Sequence, residues 1–134
     1  MDRYVVVIDH NPRELELTVA LLRLAGLKVE GFASAKTALD FAGRSTTAAI
    51  VTEVFMPDMD GIEVLRFIQR ELPRIGVIAV GGTPEGLGSN YLTAMNALGA
   101  AEILSKPVDP RTLVAAVTRV LRQQDSQPAS RGDA

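Results

Sequence analysis

The chain has 134 residues, 47% of them hydrophobic, with 14 Lys+Arg against 16 Asp+Glu, a formal net charge of -2, one His and no Cys. A chain of this length removes about two-thirds of its unfolded surface from water, so one soluble domain holds a core unaided, and a thiolate zinc site or disulfide framework is excluded. A pI near 5.4 without a basic run argues against direct nucleic-acid binding, and the N-terminal apolar stretch is too short for a signal-peptide core or a spanning helix, so no membrane insertion and a cytoplasmic location are expected.

Tyr4 to Ile8 is a continuous apolar run rich in β-branched residues, the pattern of a strand buried on both faces. Asn11 and Pro12 followed by Glu14 supply an N-cap, a proline at the first helical position and an acid at the third, and with Gly26 they predict a helix from about Pro12 to Ala25. A weaker strand spans Leu27 to Phe32, and Ser34 and Gly43 bracket a second helix. Ala49 to Val51 forms the third strand; Asp60 then caps a third helix whose Ile62, Leu65, Ile68 and Leu72 make one buried stripe. The fourth strand runs from Ile75 to Val80, and Gly81 to Gly88, with four glycines in eight residues, reads as a mobile loop in which Thr83 offers a displaced hydroxyl. Ser89 or Asn90 begins a fourth helix, Glu102 to Leu104 makes a weak fifth strand, and Asp109 and Pro110 open a fifth helix that turns Leu113, Val117, Val120 and Leu121 inward.

Strand followed by helix, five times, with short right-handed crossovers, gives an α/β domain with a five-stranded parallel, doubly wound sheet of flavodoxin-like order 2-1-3-4-5. The domain is expected over residues 1–122, and the polar residues 123–134 are expected to stay disordered. No internal repeat or second domain is evident. Ligands of such sheets sit at the carboxyl ends of the strands near the reversal of strand order. Asp9 and His10 follow the first strand there, Glu53 lies near the end of the third and Lys106 stands where the fifth ends. From the residues alone two readings stand: a purposeful cluster of charge at one crevice, or capping and turn residues beside an ordinary Glu53–Lys106 ion pair.

Three segments, Val5 to Asp9, Val54 to Gly61 and Leu98 to Pro107, occur in an order and spacing that resembles the receiver domains of two-component response regulators, similar to the single-domain chemotaxis regulator, over residues 3 to 122. The resemblance implies a magnesium-holding acidic pair after the first strand, a phosphoacceptor aspartate ending the third, a hydroxyl residue after the fourth, an aromatic switch on the fifth and a lysine before a proline. Asp9 matches the first acid, and Lys106 with Pro107 matches the last pair. The other positions depart: His10 stands at the second acid, Glu53 at the acceptor, Gly81 at the hydroxyl and Ile103 at the aromatic, while Phe55 keeps a backbone carbonyl for a metal.

These departures predict a weak or absent magnesium site and no phosphoryl transfer, because that chemistry is positioning plus charge neutralisation and Glu53 carries an extra methylene. The leading expectation is therefore a non-enzymatic, stand-alone pseudo-receiver that acts by protein–protein contact. Its partner is a histidine kinase or downstream effector docked through the last two helices and fifth strand, where Arg111, Arg119 and Arg122 form a solvated face, and homodimerisation is open. Glu53 either imitates the phosphorylated state by pairing with Lys106 or merely neutralises it. Two alternatives remain: a phosphoacceptor with a non-standard site at Glu53 or a nearby aspartate, with Asp58 and Asp60 reading better as turn and cap, and a flavodoxin-like cofactor binder or small hydrolase, disfavoured by a first loop without glycine or hydroxyl groups and by only six aromatic residues.

Overall fold

The computed structural model describes residues 3–82 and 87–126, in which strand and helix alternate as expected: β1 (Tyr4–Ile8), α1 (Pro12–Leu24), β2 (Lys28–Phe32), α2 (Ala35–Arg44), β3 (Thr47–Glu53), α3 (Gly61–Glu71), β4 (Gly76–Gly81), α4 (Leu87–Leu98), β5 (Glu102–Ser105) and α5 (Pro110–Asp125). The strands pair in parallel in the order β2-β1-β3-β4-β5. The continuous apolar runs have the reason expected of them, since successive side chains leave a strand on opposite faces and both faces here are covered. Val6, Ile8, Ile50, Val77 and Ala79 pack with Val64, Leu65 and Ile68 of α3 and Met95 of α4. Val5, Val7, Val51, Ile78 and Val80 pack with Leu22 of α1 and Leu113, Ala116 and Val117 of α5. Among the described residues, no helix is long and apolar enough to cross a membrane.

Helix starts follow the capping chemistry. The Asn11 side chain accepts from the Arg13 and Glu14 N–H groups, Asp60 and Glu63 form a reciprocal capping box, and Asp109 accepts from Arg111 N. At α2 the arrangement differs from the sequence expectation. Ser34 occupies the N-cap position without a side-chain bond to the helix. Asp58, from the loop after β3, accepts from Ser34 Oγ at 3.0 Å and from Lys36 N at 3.2 Å instead. Burial acts to raise the Asp58 carboxyl, but the bonds from Lys36 N, Ser34 Oγ and neighbouring backbone N–H groups together outweigh it and hold the carboxyl below its ordinary range. Gly43 lies inside α2, which ends at Arg44.

Two other boundaries move. Helix α4 starts at Leu87, ahead of Ser89, while Thr83 and residues 83–86 of the glycine-rich segment lie outside the described residues. Helix α5 continues to Asp125, three residues beyond the expected domain end at 122, and the reason is tertiary. Gln124 Nε2 donates to the carbonyls of Ala48 at 2.6 Å and Arg74 at 2.5 Å, and Asp125 pairs with Arg3 at 2.8 Å. Gln123 to Asp125 are therefore part of the fold, and residues 127–134 of the expected tail lie outside the described residues.

The junction of β3 and α3 fixes the sheet edge that matters below. Gly61 N donates to Val54 O at 2.7 Å. A Cβ at Gly61 would stand 2.8 Å from the Glu53 carbonyl oxygen and 3.0 Å from Val54 Cα, both backbone atoms with little room to yield. At Gly43, by contrast, nothing lies within 4 Å of an added Cβ. Gly61→Ala is expected to lower stability by about 1–3 kcal/mol through overpacking, whereas Gly43→Ala should raise it by up to about 1 kcal/mol through helix propensity. Urea unfolding midpoints of the two variants check the contrast, and an unchanged midpoint for Gly61→Ala would show that this approach is not tight.

Candidate functional site

Strand parity carries two carboxylates to the same place. Asp9 continues the series Val5, Val7, and Glu53 continues Ala49, Val51, so both stand at the carboxyl edge of the sheet on the α1–α5 side. They roof a cavity of about 40 Å³ that is otherwise lined mainly by aliphatic side chains, Val7, Val51, Val80, Val108 and Leu113 among them. Asp9 is 6% exposed and Glu53 8%, which makes them, with Thr52, the buried polar residues among the described chain. Charge at that depth is unfavourable unless it is met by partners.

Glu53 is met on every side. Its Oε1 accepts from Lys106 Nζ at 3.0 Å. Its Oε2 accepts from the His10 backbone N–H at 3.0 Å and lies 2.6 Å from His10 Nδ1. Lys106 Nζ also donates to Glu14 Oε1, at 2.8 Å, so the ammonium bridges α1 and β3. Asp9 Oδ1 accepts from Asn11 N at 2.9 Å, and the Asp9 carboxyl stands beside that of Glu53, with an oxygen of each within 4.8 Å.

The protonation of the two acids separates accordingly. Burial pushes the Asp9 carboxyl from its ordinary 3.8 up to about 6; the Asn11 N–H opposes this and the Glu53 carboxylate adds to it. Burial acts to raise Glu53, but the neighbouring Asp9 carboxyl and the bonds from the His10 backbone, the His10 ring and Lys106 together outweigh that, and it is held below the usual range. Glu53 thus remains the ion of the pair while Asp9 is the acid that more readily holds a proton. For Lys106, burial lowers the value, yet Glu14 and Glu53 together raise it.

The remaining positions divide. Lys106 and Glu53 meet as the sequence suggests, and the Lys106–Pro107 peptide is cis. Gly81 is buried at the end of β4, where an added Cβ would meet Val54 Cγ2 at 3.0 Å, so Val54 fills the space a hydroxyl side chain would need. Ile103 is half-buried and packs on the α2–α3–α4 core, away from the carboxylates. Phe55 is exposed and stacks edge-on with Tyr91 of α4 at 4.8 Å between ring centroids. Of the three arginines on α5, Arg119 grips Glu102 of β5 through two bonds of 2.9 and 3.0 Å. One participant has no sequence signal: Glu14 reads there only as a first-turn acid. His10 is placed on the rim by sequence, but its contact with Glu53 has no local spacing that announces it.

Asp9, His10 and Glu53 each place one possible ligand atom within 4.8 Å of the others. Two carboxylate oxygens and an imidazole nitrogen form a mixed donor set, whereas magnesium favours an all-oxygen shell. Glu53 Oε1 is already committed to Lys106. The residues present therefore fit magnesium poorly.

Residues 5–118 match the family model described as the response regulator receiver domain. Among curated proteins, the transcriptional regulatory protein FixJ of Azorhizobium caulinodans is 34% identical over 123 residues, covering 92% of this chain and 57% of FixJ. The response regulator protein TodT of Pseudomonas putida is 29% identical over 123 residues, covering 92% of this chain and 53% of TodT. The chain thus spans about half the length of these relatives. Among solved structures, a CheY-like receiver domain protein of Methanospirillum hungatei superposes with a TM-score of 0.82 at 26% identity, over 96% of this chain and all of that one. A receiver domain protein of Clostridium thermocellum gives 0.80 at 27% identity, over 92% and 97% of the two chains.

The raised Asp9 value has a stability consequence. A carboxyl whose folded pKa lies above its unfolded one takes stability away as pH climbs from the unfolded value, near 3.8, through about 6. Asp9→Asn is nearly isosteric and removes the titration. It should therefore raise stability at pH 8 by on the order of 2 kcal/mol, with most of that gain gone near pH 4. Denaturant melts at the two pH values check this, and an equal gain at both would contradict it.

Proposed function

Because the chain belongs to the response regulator receiver domain family, whose members are signalling modules of two-component systems, we propose that it is a pseudo-receiver that signals by protein–protein contact without an aspartyl-phosphate cycle. The observation that carries this reading is the clasp on Glu53: one oxygen on Lys106 at 3.0 Å, the other on the His10 ring at 2.6 Å. A phosphoacceptor must present a carboxylate oxygen in line with the donor phosphorus, with cationic groups left over to neutralise the transferred charge. Here the lysine is shared between Glu53 and Glu14, and a histidine stands in place of the second metal-binding acid. Magnesium binding is correspondingly weak or absent, and the chain performs no catalysis of its own.

The same clasp accounts for a fixed output. In a receiver that cycles, the lysine is drawn toward the phosphoryl group; here Glu53, one methylene longer than aspartate, holds Lys106 without modification. With Gly81 packed against Val54 and Ile103 seated in the core, neither a hydroxyl nor a mobile polar ring is present at those positions to report a change. Receiver domains interact with histidine kinases and effectors, and the surface proposed for that role is α4, β5 and α5, where the Arg119–Glu102 pair ties helix to strand. A homodimer through this face is compatible with the proposal. The site of action is the cytoplasm, the usual compartment of the family.

Intact-mass measurement after incubation with magnesium and acetyl phosphate is expected to show an unmodified chain. A magnesium-dependent phosphoryl adduct that disappears in Glu53→Gln would establish Glu53 as a working acceptor and overturn the proposal.

A further inference from the structure

The mismatch between the donor set and magnesium points to a different ion. We propose that Asp9, His10 and Glu53 form a site for a late first-row divalent transition ion, such as nickel or zinc, with His10 Nδ1 as the ligand that sets the preference over magnesium. Imidazole nitrogen suits these metals, whereas a carboxylate and water shell suits magnesium. The three candidate ligand atoms lie within 4.8 Å of one another. Atoms bound to one ion at about 2.1 Å stand roughly 3–4 Å apart, so the His10 Nδ1–Glu53 Oε2 hydrogen bond of 2.6 Å must open by a few tenths of an ångström as the ion enters, a movement that the 47% exposed His10 side chain can supply. Lys106 does not compete for the same oxygen, because it holds Glu53 Oε1 while Oε2 faces His10.

Charge favours the same conclusion. When ionised, Asp9, Glu14 and Glu53 contribute three negative charges around the single positive charge of Lys106, leaving two that one divalent ion would neutralise. The pocket beside the two carboxylates is lined mainly by aliphatic side chains, which strengthens an ion–carboxylate interaction relative to water. The inference stands apart from the loss of phosphorylation, since it concerns which ion the donors select and not whether Glu53 accepts a phosphoryl group.

The chain lends itself to a clean test, having one His and no Cys, so any nitrogen ligation by an imidazole reports His10 alone. Calorimetric titration of the untagged full chain with nickel, zinc and magnesium chlorides is the experiment, read together with the NMR signals of the single imidazole ring. One nickel or zinc per chain is expected, bound on the order of tenfold or more tighter than magnesium, with the imidazole signals shifted or broadened. His10→Ala should erase the difference between metals, and His10→Asp should move the preference back toward magnesium. The proposal is overturned if nickel and zinc bind no tighter than magnesium, or if their binding survives His10→Ala with the ring of the parent protein unperturbed. A phosphoryl adduct in the mass experiment would leave both results unchanged.

Discussion

A carboxylate held at the end of a hydrophobic strand is the constraint from which the rest of the rim follows. Glu53 closes β3 above Val51 and beside Val80, at 8% exposure, and it is held ionised. An ion of that depth is unfavourable by several kcal/mol if left alone. Its partners come from three directions: Lys106 from the end of β5, the His10 backbone and ring from the loop after β1, and the Asp9 carboxyl beside it. The parallel sheet makes this possible, because the order β2-β1-β3-β4-β5 brings the carboxyl ends of β1 and β3 side by side. Gly61 then seals the far side of the junction by letting α3 start against the Glu53 carbonyl.

The departures from the receiver pattern reinforce one another physically. Val54 occupies the space above Gly81, Ile103 joins the core, and Lys106 is already engaged by Glu53 and Glu14. Among the described residues, no buried polar side-chain atom lacks a partner. On the proposed pseudo-receiver reading, a rim satisfied in this way leaves the signal to the surface it holds in place. The Phe55–Tyr91 stack extends that surface from the β3–α3 loop to α4.

Much of this was legible in the sequence because the signals are local. β-branched runs mark the central strands, Asn11, Asp60 and Asp109 mark helix starts, and the placement of Asp9, Glu53 and Lys106 at strand ends puts them on one rim. What was not legible depends on contacts between distant residues. Glu14 and Lys106 are 92 positions apart, and Asp58 caps a helix 22 positions before it. The end of α5 is set by Gln124 reaching two carbonyls of other elements, so a composition that reads as disordered is helical through tertiary bonds. His10 illustrates the same limit: residue type shows that an acid is missing, and only the geometry shows that the imidazole turns toward Glu53.

The central claim is that Glu53 and Lys106 are energetically joined in the unmodified protein, and a double-mutant cycle on that pair tests it most directly. Unfolding free energies of the parent chain, Glu53→Gln, Lys106→Met and the double variant give the coupling. The account predicts an interaction of roughly 1–3 kcal/mol, since the Glu53 side chain is 10% exposed and the contact is 3.0 Å. Additivity of the two substitutions to within about 0.3 kcal/mol would contradict it.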